Sequence, residues 1–270
     1  MTGPPAGIPI TGTTRLYAVL GDPIAQVQAP TMMNPLLARL RTDAVVVPVH
    51  ARPEHLEHIV RGLQRVDNLD GMFVTVPHKV AVRRLADRCG PTVDIVGSAN
   101  VLRREADGSW LAENFDGSGF VAGLVGAGHD PRGRRVTLVG AGGAGSSIAA
   151  ALLMAGVDRL AVYDSDTSKL GALVTRLGAH WPRRVCAVNG PHVRDADIAV
   201  NATPLGMRAD DPLPFPLQSL PPGSVVADIV MKPRDTRLLR EAAALGHPVH
   251  HGIHMLEGQL NSYRAFFDLN

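Results

Sequence analysis

Cysteine is nearly absent. Cys89 and Cys186 are the chain's two, far apart and without C-x-x-C spacing, which excludes a disulfide framework or a multi-thiolate zinc site and points to reduced thiols in the cytoplasm. Aromatic residues make up 4% of the chain and basic residues form no stripe, so no nucleic-acid partner is expected. Neither sign of charge dominates, the net value being +2. No apolar run approaches the roughly 18 to 20 residues that cross a bilayer, so no membrane partner is expected. Residues 1–10 lack the basic and apolar regions of a secretion signal and read, up to residue 12, as a flexible lead-in. Eleven histidines raise the question of a metal. His247, His250, His251 and His254 lack an H-E-x-x-H pattern, however, and Pro248 bars a regular helix through them. No metal is expected. No internal repeat or low-complexity segment appears.

What is present is ordinary globular composition, 45% hydrophobic and 19% charged over 270 residues, enough for two modest domains. Strands are expected at residues 15–20, at 44–49 as a buried β-branched run, and at 71–76 before Pro77. Helices are expected at 30–40, 54–66 and 80–87. Residues 100–103 and 109–112 flank Gly108 as a hairpin. This alternation implies a mainly parallel sheet covered by helices over residues 13–117. After a helix at 117–127 and a turn at Gly128, a second domain occupies 118–254. Its strands are expected at 135–139, 160–163, 185–188, 198–202 and 225–229, with a helix at 237–244. The helical tail, 255–270, is expected to return to the first domain. The expected architecture is α/β, two domains flanking a cleft, with ligands at the carboxyl ends of the strands.

The most specific feature is the apolar run 135–139 leading into Gly140-Ala141-Gly142-Gly143-Ala144-Gly145, a G-x-G-x-x-G turn before a small-residue helix. Gly140 permits a tight turn, Gly142 lets the backbone approach a pyrophosphate, and Gly145 lets helix and sheet pack closely. A second apolar run ends at Asp164. The order strand, glycine turn, helix, strand, acid is that of a dinucleotide-binding unit. Asp164 can accept bonds from both ribose hydroxyls of NAD, whereas a 2′-phosphate would meet Asp164 and Asp166 and be repelled. Lys169 is the nearby cation. NAD is therefore expected over NADP, although Asp164 can equally cap the helix beginning near Thr167.

Hydride transfer from an alcohol also needs a proton acceptor. Thr75, His78 and Lys79 lie at the end of the strand at 71–76, and Asp116 opens a helix. Spacing alone favours plainer roles, Lys79 as a surface cation and Asp116 as an N-cap. Six ordered motifs carry a resemblance that changes this balance. Gly71-Met72-Phe73-Val74-Thr75-Val76-Pro77-His78-Lys79 resembles the G-x-N-V-T-x-P-x-K of the shikimate dehydrogenase family, whose Lys is catalytic. Gly97-Ser98-Ala99-Asn100-Val101-Leu102 is similar to its G-A-x-N-T-L, and Asn114-Phe115-Asp116-Gly117 to its N-T-D-G, whose Asp partners the Lys. The glycine turn, Asn201-Ala202-Thr203-Pro204-Leu205-Gly206-Met207, and Gly252, Met255, Leu256 and Gln259 complete the set. The resemblance implies Lys79 and Asp116 as catalytic residues and Thr75, Asn100 and Gln259 as substrate contacts. It also implies Asn201, Thr203, Pro204, Met207 and Gly252 as cofactor contacts beside the glycine turn.

The departures concentrate at the substrate end. Val27 and Ala29 stand where the family has two serines holding a carboxylate, and neither can donate a hydrogen bond. Phe73 replaces an Asn, Val101 and Phe115 replace threonines, and Met231 replaces a Tyr. Shikimate is therefore expected either to bind poorly or to be held by other donors such as Gln26 and Gln28. The Asn-Arg pair that holds NADP in the family is Asp164-Ser165 here. The expected activity is an NAD-dependent oxidoreductase acting on a small hydroxylated cyclic carboxylic acid such as shikimate, by a monomer or homodimer. The alternatives are a quinate dehydrogenase or a paralogue with another ring substrate, and, in a different class, a nucleotide sensor without turnover.

Overall fold

In the computed structural model, residues 9–269 are described, so the first eight residues of the expected lead-in lie outside them. The described chain groups into two compact units. One holds the residues up to Val93, Ser98–Asn114 and those from Asn261 on; the other holds Asp94–Gly97 and Phe115–Leu260.

The first unit contains β1 (Arg15–Gly21), α1 (Ala29–Arg39), β2 (Ala44–His50), α2 (Leu56–Leu63), β3 (Leu69–Val74) and β4 (Arg88–Cys89). After α3 (Pro91–Val96) come β5 (Val101–Arg104) and β6 (Trp110–Glu113). Its sheet runs β2-β1-β3-β5-β6-β4. β1 is parallel to β2 and β3, while β5 is antiparallel to β3 and closes the expected hairpin with β6. β1 buries Tyr17, Ala18, Val19 and Leu20 in succession, as a parallel strand covered on both faces must. α1 starts with Pro30 in its first turn and buries Met33, Leu36 and Leu37.

Three expectations need correction here. β2 is an edge strand, buried only over its first three residues, because Pro48 donates no ladder bond and suits an edge. The helix expected at 54–66 is a 3₁₀ turn over Pro53–His55 followed by the shorter α2. The helix expected at 80–87 is a 3₁₀ turn, Val82–Leu85, which buries one apolar pair three residues apart.

The second unit holds α4 (Asp116–Gly126), β7 (Arg135–Val139), α5 (Gly143–Ala155), β8 (Arg159–Tyr163), α6 (Thr167–His180) and β9 (Val185–Ala187). β10 (Ile198–Asn201), β11 (Val225–Asp228), α7 (Arg237–Ala244), β12 (Val249–His250) and α8 (Ile253–Phe266) follow, α8 running into the first unit at Asn261. The sheet is wholly parallel, in the order β12-β11-β10-β7-β8-β9. Numbered from β7 as the first strand this is 3-2-1-4-5-6 read from the β9 edge, the doubly wound Rossmann order. Leu138, Ile148, Leu152, Leu160 and Val162 belong to one core cluster, and Val139, Ala199, Phe215, Val226, Leu238 and Leu239 to another. The strand order reverses between β7 and β10, which places a ligand crevice at their carboxyl ends. Pro248 precedes the short edge strand β12, and α8 begins only at Ile253, so no regular helix runs through residues 247–254.

Candidate active site

The carboxyl end of β7 shows why the glycines stand where they do. Gly140 has φ +113°, and a Cβ there would lie 2.6 Å from the Ala202 carbonyl oxygen. A Cβ on Gly145 would lie 2.0 Å from the Gly140 carbonyl oxygen. Gly142 is the N-cap of α5, and the space where its Cβ would stand has no atom within 4 Å. The turn therefore offers open backbone at the positive end of a 13-residue helix, an arrangement that fits a pyrophosphate. Ala141 is buried, and Gly143 and Ala144 are half-buried.

Asp164 follows β8, and its carboxylate braces this turn. One oxygen accepts from the Ala141 N–H at 2.6 Å and the other from the Asp166 N–H at 2.8 Å. The cap of α6 is Asp166, which accepts from the N–H groups of Ser168 and Lys169, so that alternative role for Asp164 is excluded. Lys169 pairs with Asp166 at 3.1 Å. After β10, Asn201 is wholly buried and its amide bonds within its own turn, while Thr203 lies half-buried, and Pro204 and Met207 are exposed. Gly252 is buried, with Ile229 and Val230 backbone 2.7 Å from where a Cβ would stand.

In the first unit the carboxyl edge of the sheet gathers Thr75, Lys79 and Asn100. The Thr75 N–H donates to Leu20 and that of Asp22 to Val76, which ties the segments after β1 and β3 together. The Val74 N–H donates to the Asn100 carbonyl at 2.7 Å, and the Ala99 N–H to that of Lys79 at 2.8 Å. Lys79 is 9% exposed, which overturns its reading as a surface cation. Asn100 is buried and donates to the Tyr263 hydroxyl at 3.3 Å. His78 has a packing role, its ring bonded to the Ala51 carbonyl at 2.7 Å.

Val27 and Ala29 are half-buried and present only methyl groups. Gln28 donates its amide to the Gln26 carbonyl at 2.8 Å, which commits one substitute donor locally. Phe73, replacing the family's Asn, has a core role. Its ring lies 5.0 Å from Tyr263 and 5.1 Å from Phe267, and Tyr17 lies 5.0 Å from Phe267.

The second unit carries Asp116 and Gln259, 2% and 1% exposed, with the Gln259 amide 3.4 Å from an Asp116 carboxylate oxygen. Glycines make that approach possible. A Cβ on Gly119 would meet the Met255 carbonyl oxygen and Gln259 Cγ at 2.4 Å, and one on Gly258 the Gly119 carbonyl oxygen at 2.3 Å. The Ser147 hydroxyl accepts from the Gly117 N–H at 2.9 Å, fixing the start of α4 on α5. Sequence reasoning missed Ser147, for which no motif signals, and Asp228, at the carboxyl end of β11, with Thr236, the N-cap of α7.

His250 is buried against Phe120 and His254, with ring centroids 5.8 and 5.0 Å away. Among the described residues no group of three or more His, Cys, Asp or Glu is placed to hold a metal ion, and no helix is long and apolar enough to cross a membrane.

Residues 19–102 match the family model for the shikimate dehydrogenase substrate binding domain. The shikimate dehydrogenase (NADP(+)) of Rubrobacter xylanophilus is 42% identical over 241 residues, 88% of this chain and 84% of that one. Among solved structures, the shikimate 5-dehydrogenase of Listeria monocytogenes in complex with shikimate and NAD is 28% identical with a TM-score of 0.83, over 93% of this chain and 90% of that one. The quinate dehydrogenase of Corynebacterium glutamicum in complex with NAD is 28% identical with a TM-score of 0.84, over 95% and 94%.

Proposed function

The chain belongs to the shikimate dehydrogenase family and is an oxidoreductase of that kind, and from this premise we propose that it moves a hydride between NAD and a hydroxylated cyclic carboxylic acid of the shikimate type. The first unit binds the ring and the second the dinucleotide. The nicotinamide supplies the hydride acceptor. Lys79 takes the hydroxyl proton, with Asp116 as the partner that orients it. Thr75, Asn100 and Gln259 hold ring hydroxyls. The observation that carries this reading is the burial of Lys79 on the same backbone edge as Thr75 and Asn100, since a lysine is rarely taken out of water without a task. NAD is preferred over NADP by at least about tenfold, or roughly 1.4 kcal/mol. Asp164-Ser165 offers a carboxylate and no arginine to a ribose, although relatives are named for NADP(+).

The test offers both dinucleotides with shikimate, quinate and neutral cyclic polyols and follows reduced cofactor by absorbance. Lys79→Ala is expected to lower kcat by about 10²- to 10⁴-fold with nucleotide binding intact. Asp116→Ala should also lower it, less than additively with Lys79→Ala. Lys79→Arg should not rescue, because a guanidinium does not deprotonate near neutral pH. Near-normal kcat in Lys79→Ala removes Lys79 from the mechanism, and equal turnover with NADP removes the cofactor preference.

Val27 and Ala29 support a second reading, a quinate dehydrogenase or paralogue whose ring substrate places a different group there. Val27→Ser with Ala29→Ser should lower the KM for shikimate if its carboxylate is otherwise without donors. An unchanged KM for every cyclic acid tested would favour a substrate with no carboxylate at that end.

A further inference from the structure

Asp228 takes part in no step above, yet the turn at the reversal of strand order hangs from it. β10 and β11 run in register with Asn201 opposite Asp228, and both side chains are wholly buried. One Asp228 oxygen accepts from the Asn201 amide and from the Val230 N–H, each at 3.0 Å. The other accepts from the Thr236 hydroxyl at 2.7 Å. Asn201 carries the constraint onward. Its amide nitrogen also donates to the Leu205 carbonyl at 2.9 Å, and its oxygen accepts from the Thr203 N–H at 3.0 Å and the Thr203 hydroxyl at 2.6 Å. The Thr203 hydroxyl oxygen accepts in turn from the Leu205 N–H at 3.1 Å.

The far side of this turn rests on the glycine turn. A Cβ on Gly140 would meet the Ala202 carbonyl oxygen at 2.6 Å and Thr203 Cγ2 at 3.1 Å, and one on Gly145 would meet Ala202 Cβ at 3.4 Å. The shape of the 201–205 turn therefore bounds the space that Gly140 and Gly145 leave. A buried carboxylate is costly, and burial pushes this one's pKa up against the pull of its donors. What the donors obtain in exchange is a single geometry, since two acceptor oxygens with three donors leave the turn few alternative arrangements.

We propose that Asp228 is a positioning residue for the dinucleotide, acting through Asn201 to hold the 201–205 turn in the shape that binds it. This rests on the reading of the second unit as the dinucleotide site.

The experiment titrates the full chain with NADH and with NADPH, reading nucleotide fluorescence, alongside thermal unfolding. Asp228→Ala is expected to weaken binding of the preferred nucleotide about tenfold, the scale of one lost buried hydrogen bond. Asn201→Ala is expected to weaken it similarly, and the double variant to be no worse than either single one, because the two act as one unit. Asp228→Asn keeps an oxygen for Asn201 and Val230 and should bind within about threefold of wild type. Ser224→Ala removes a buried hydroxyl whose one proton is shared between the Ala196 and Pro221 carbonyls, and it is the stability control. It should lower the unfolding temperature and leave affinity unchanged. Wild-type affinity in Asp228→Ala, additive losses in the double variant, or no recovery in Asp228→Asn would each overturn the proposal. If Asp228→Ala does not fold, Asn201→Ala decides, and unchanged affinity there overturns it. A wild-type protein that binds neither nucleotide would instead overturn the reading of the second unit.

Discussion

Asp164 commits both carboxylate oxygens to backbone N–H groups, one in the glycine turn and one in the segment leading to α6. Each oxygen has a second lone pair left for a ribose hydroxyl. The same side chain can therefore shape the turn and meet the sugar, and Asp164→Asn disturbs both. An amide presents one acceptor and one NH₂, so one backbone N–H is left facing a donor whichever way it flips. Asp164→Asn is expected to weaken NADH binding by about 1 kcal/mol, the scale of one hydrogen bond lost at a half-buried site. NADPH should lose less, because the repulsion of its phosphate falls at the same time, so the gap between the two narrows. Fluorescence titration with both nucleotides measures this, and an unchanged ratio would remove Asp164 from the discrimination. Phe73 shows the converse at this scale. Its sequence position suggests the substrate, while its neighbours Tyr263 and Phe267 make it core. Nothing in residues 71–79 announces rings that arrive from the last turn of α8 and the residue that follows it.

At the scale of elements, α4 joins packing to chemistry. Glycine in a helix interior costs about 1 kcal/mol relative to alanine, so its repeated use in α4 needs a reason. Gly119 has one, since a methyl would stand 2.4 Å from the Met255 backbone oxygen, whereas Gly126 has nothing within 4 Å. Gly119→Ala should destabilise by about 1–3 kcal/mol, the overpacking cost outweighing the gain in propensity. It should also lower kcat, because α8 carries Gln259 to Asp116. Gly126→Ala should leave kcat unchanged and stabilise by up to about 1 kcal/mol. Equal effects from the two would show that close approach is not what Gly119 provides. The β7-α5-β8 unit was legible because turn, helix and acid each carry a chemical signature at fixed spacing. β4, α3 and β12 were not, since elements of two to six residues hold too little periodicity to read. The backbone edge holding Thr75, Lys79 and Asn100 could be read from motifs. The Asp228–Asn201 network could not, because it depends on which strands lie side by side.

At the scale of the whole molecule, stability should depend on pH through the second unit. Burial and the neighbouring His254, His129 and His251 push His250 down to about 4. Neither of its ring nitrogens has a hydrogen-bond partner among the described residues. Glu257 faces His254 at 3.0 Å and Asp235 faces His251 at 2.9 Å. An unfolded histidine titrates near 6.5, so between the two values the unfolded chain holds the extra proton. The stability His250 allows is whole above about pH 6.5 and falls as pH drops towards 4. The loss should be on the order of 1–2 kcal/mol once partial screening is allowed for. His250→Phe keeps a ring against Phe120 and gives up no hydrogen bond, so it should flatten this acid limb in urea unfolding at pH 7.5 and 5. An unchanged limb would assign the acid loss to other groups. The way the chain threads its two units has a further consequence, for synthesis. Residues to 114 contain every strand of the first sheet, but the rings of Tyr17 and Phe73 gain Tyr263 and Phe267 only after residues 115–260 have been made. At about 5–20 residues per second that interval is on the order of ten seconds. The unit begun first on the ribosome is thus the last to be finished, and its nascent sheet waits with an aromatic face uncovered while its neighbour completes its own fold.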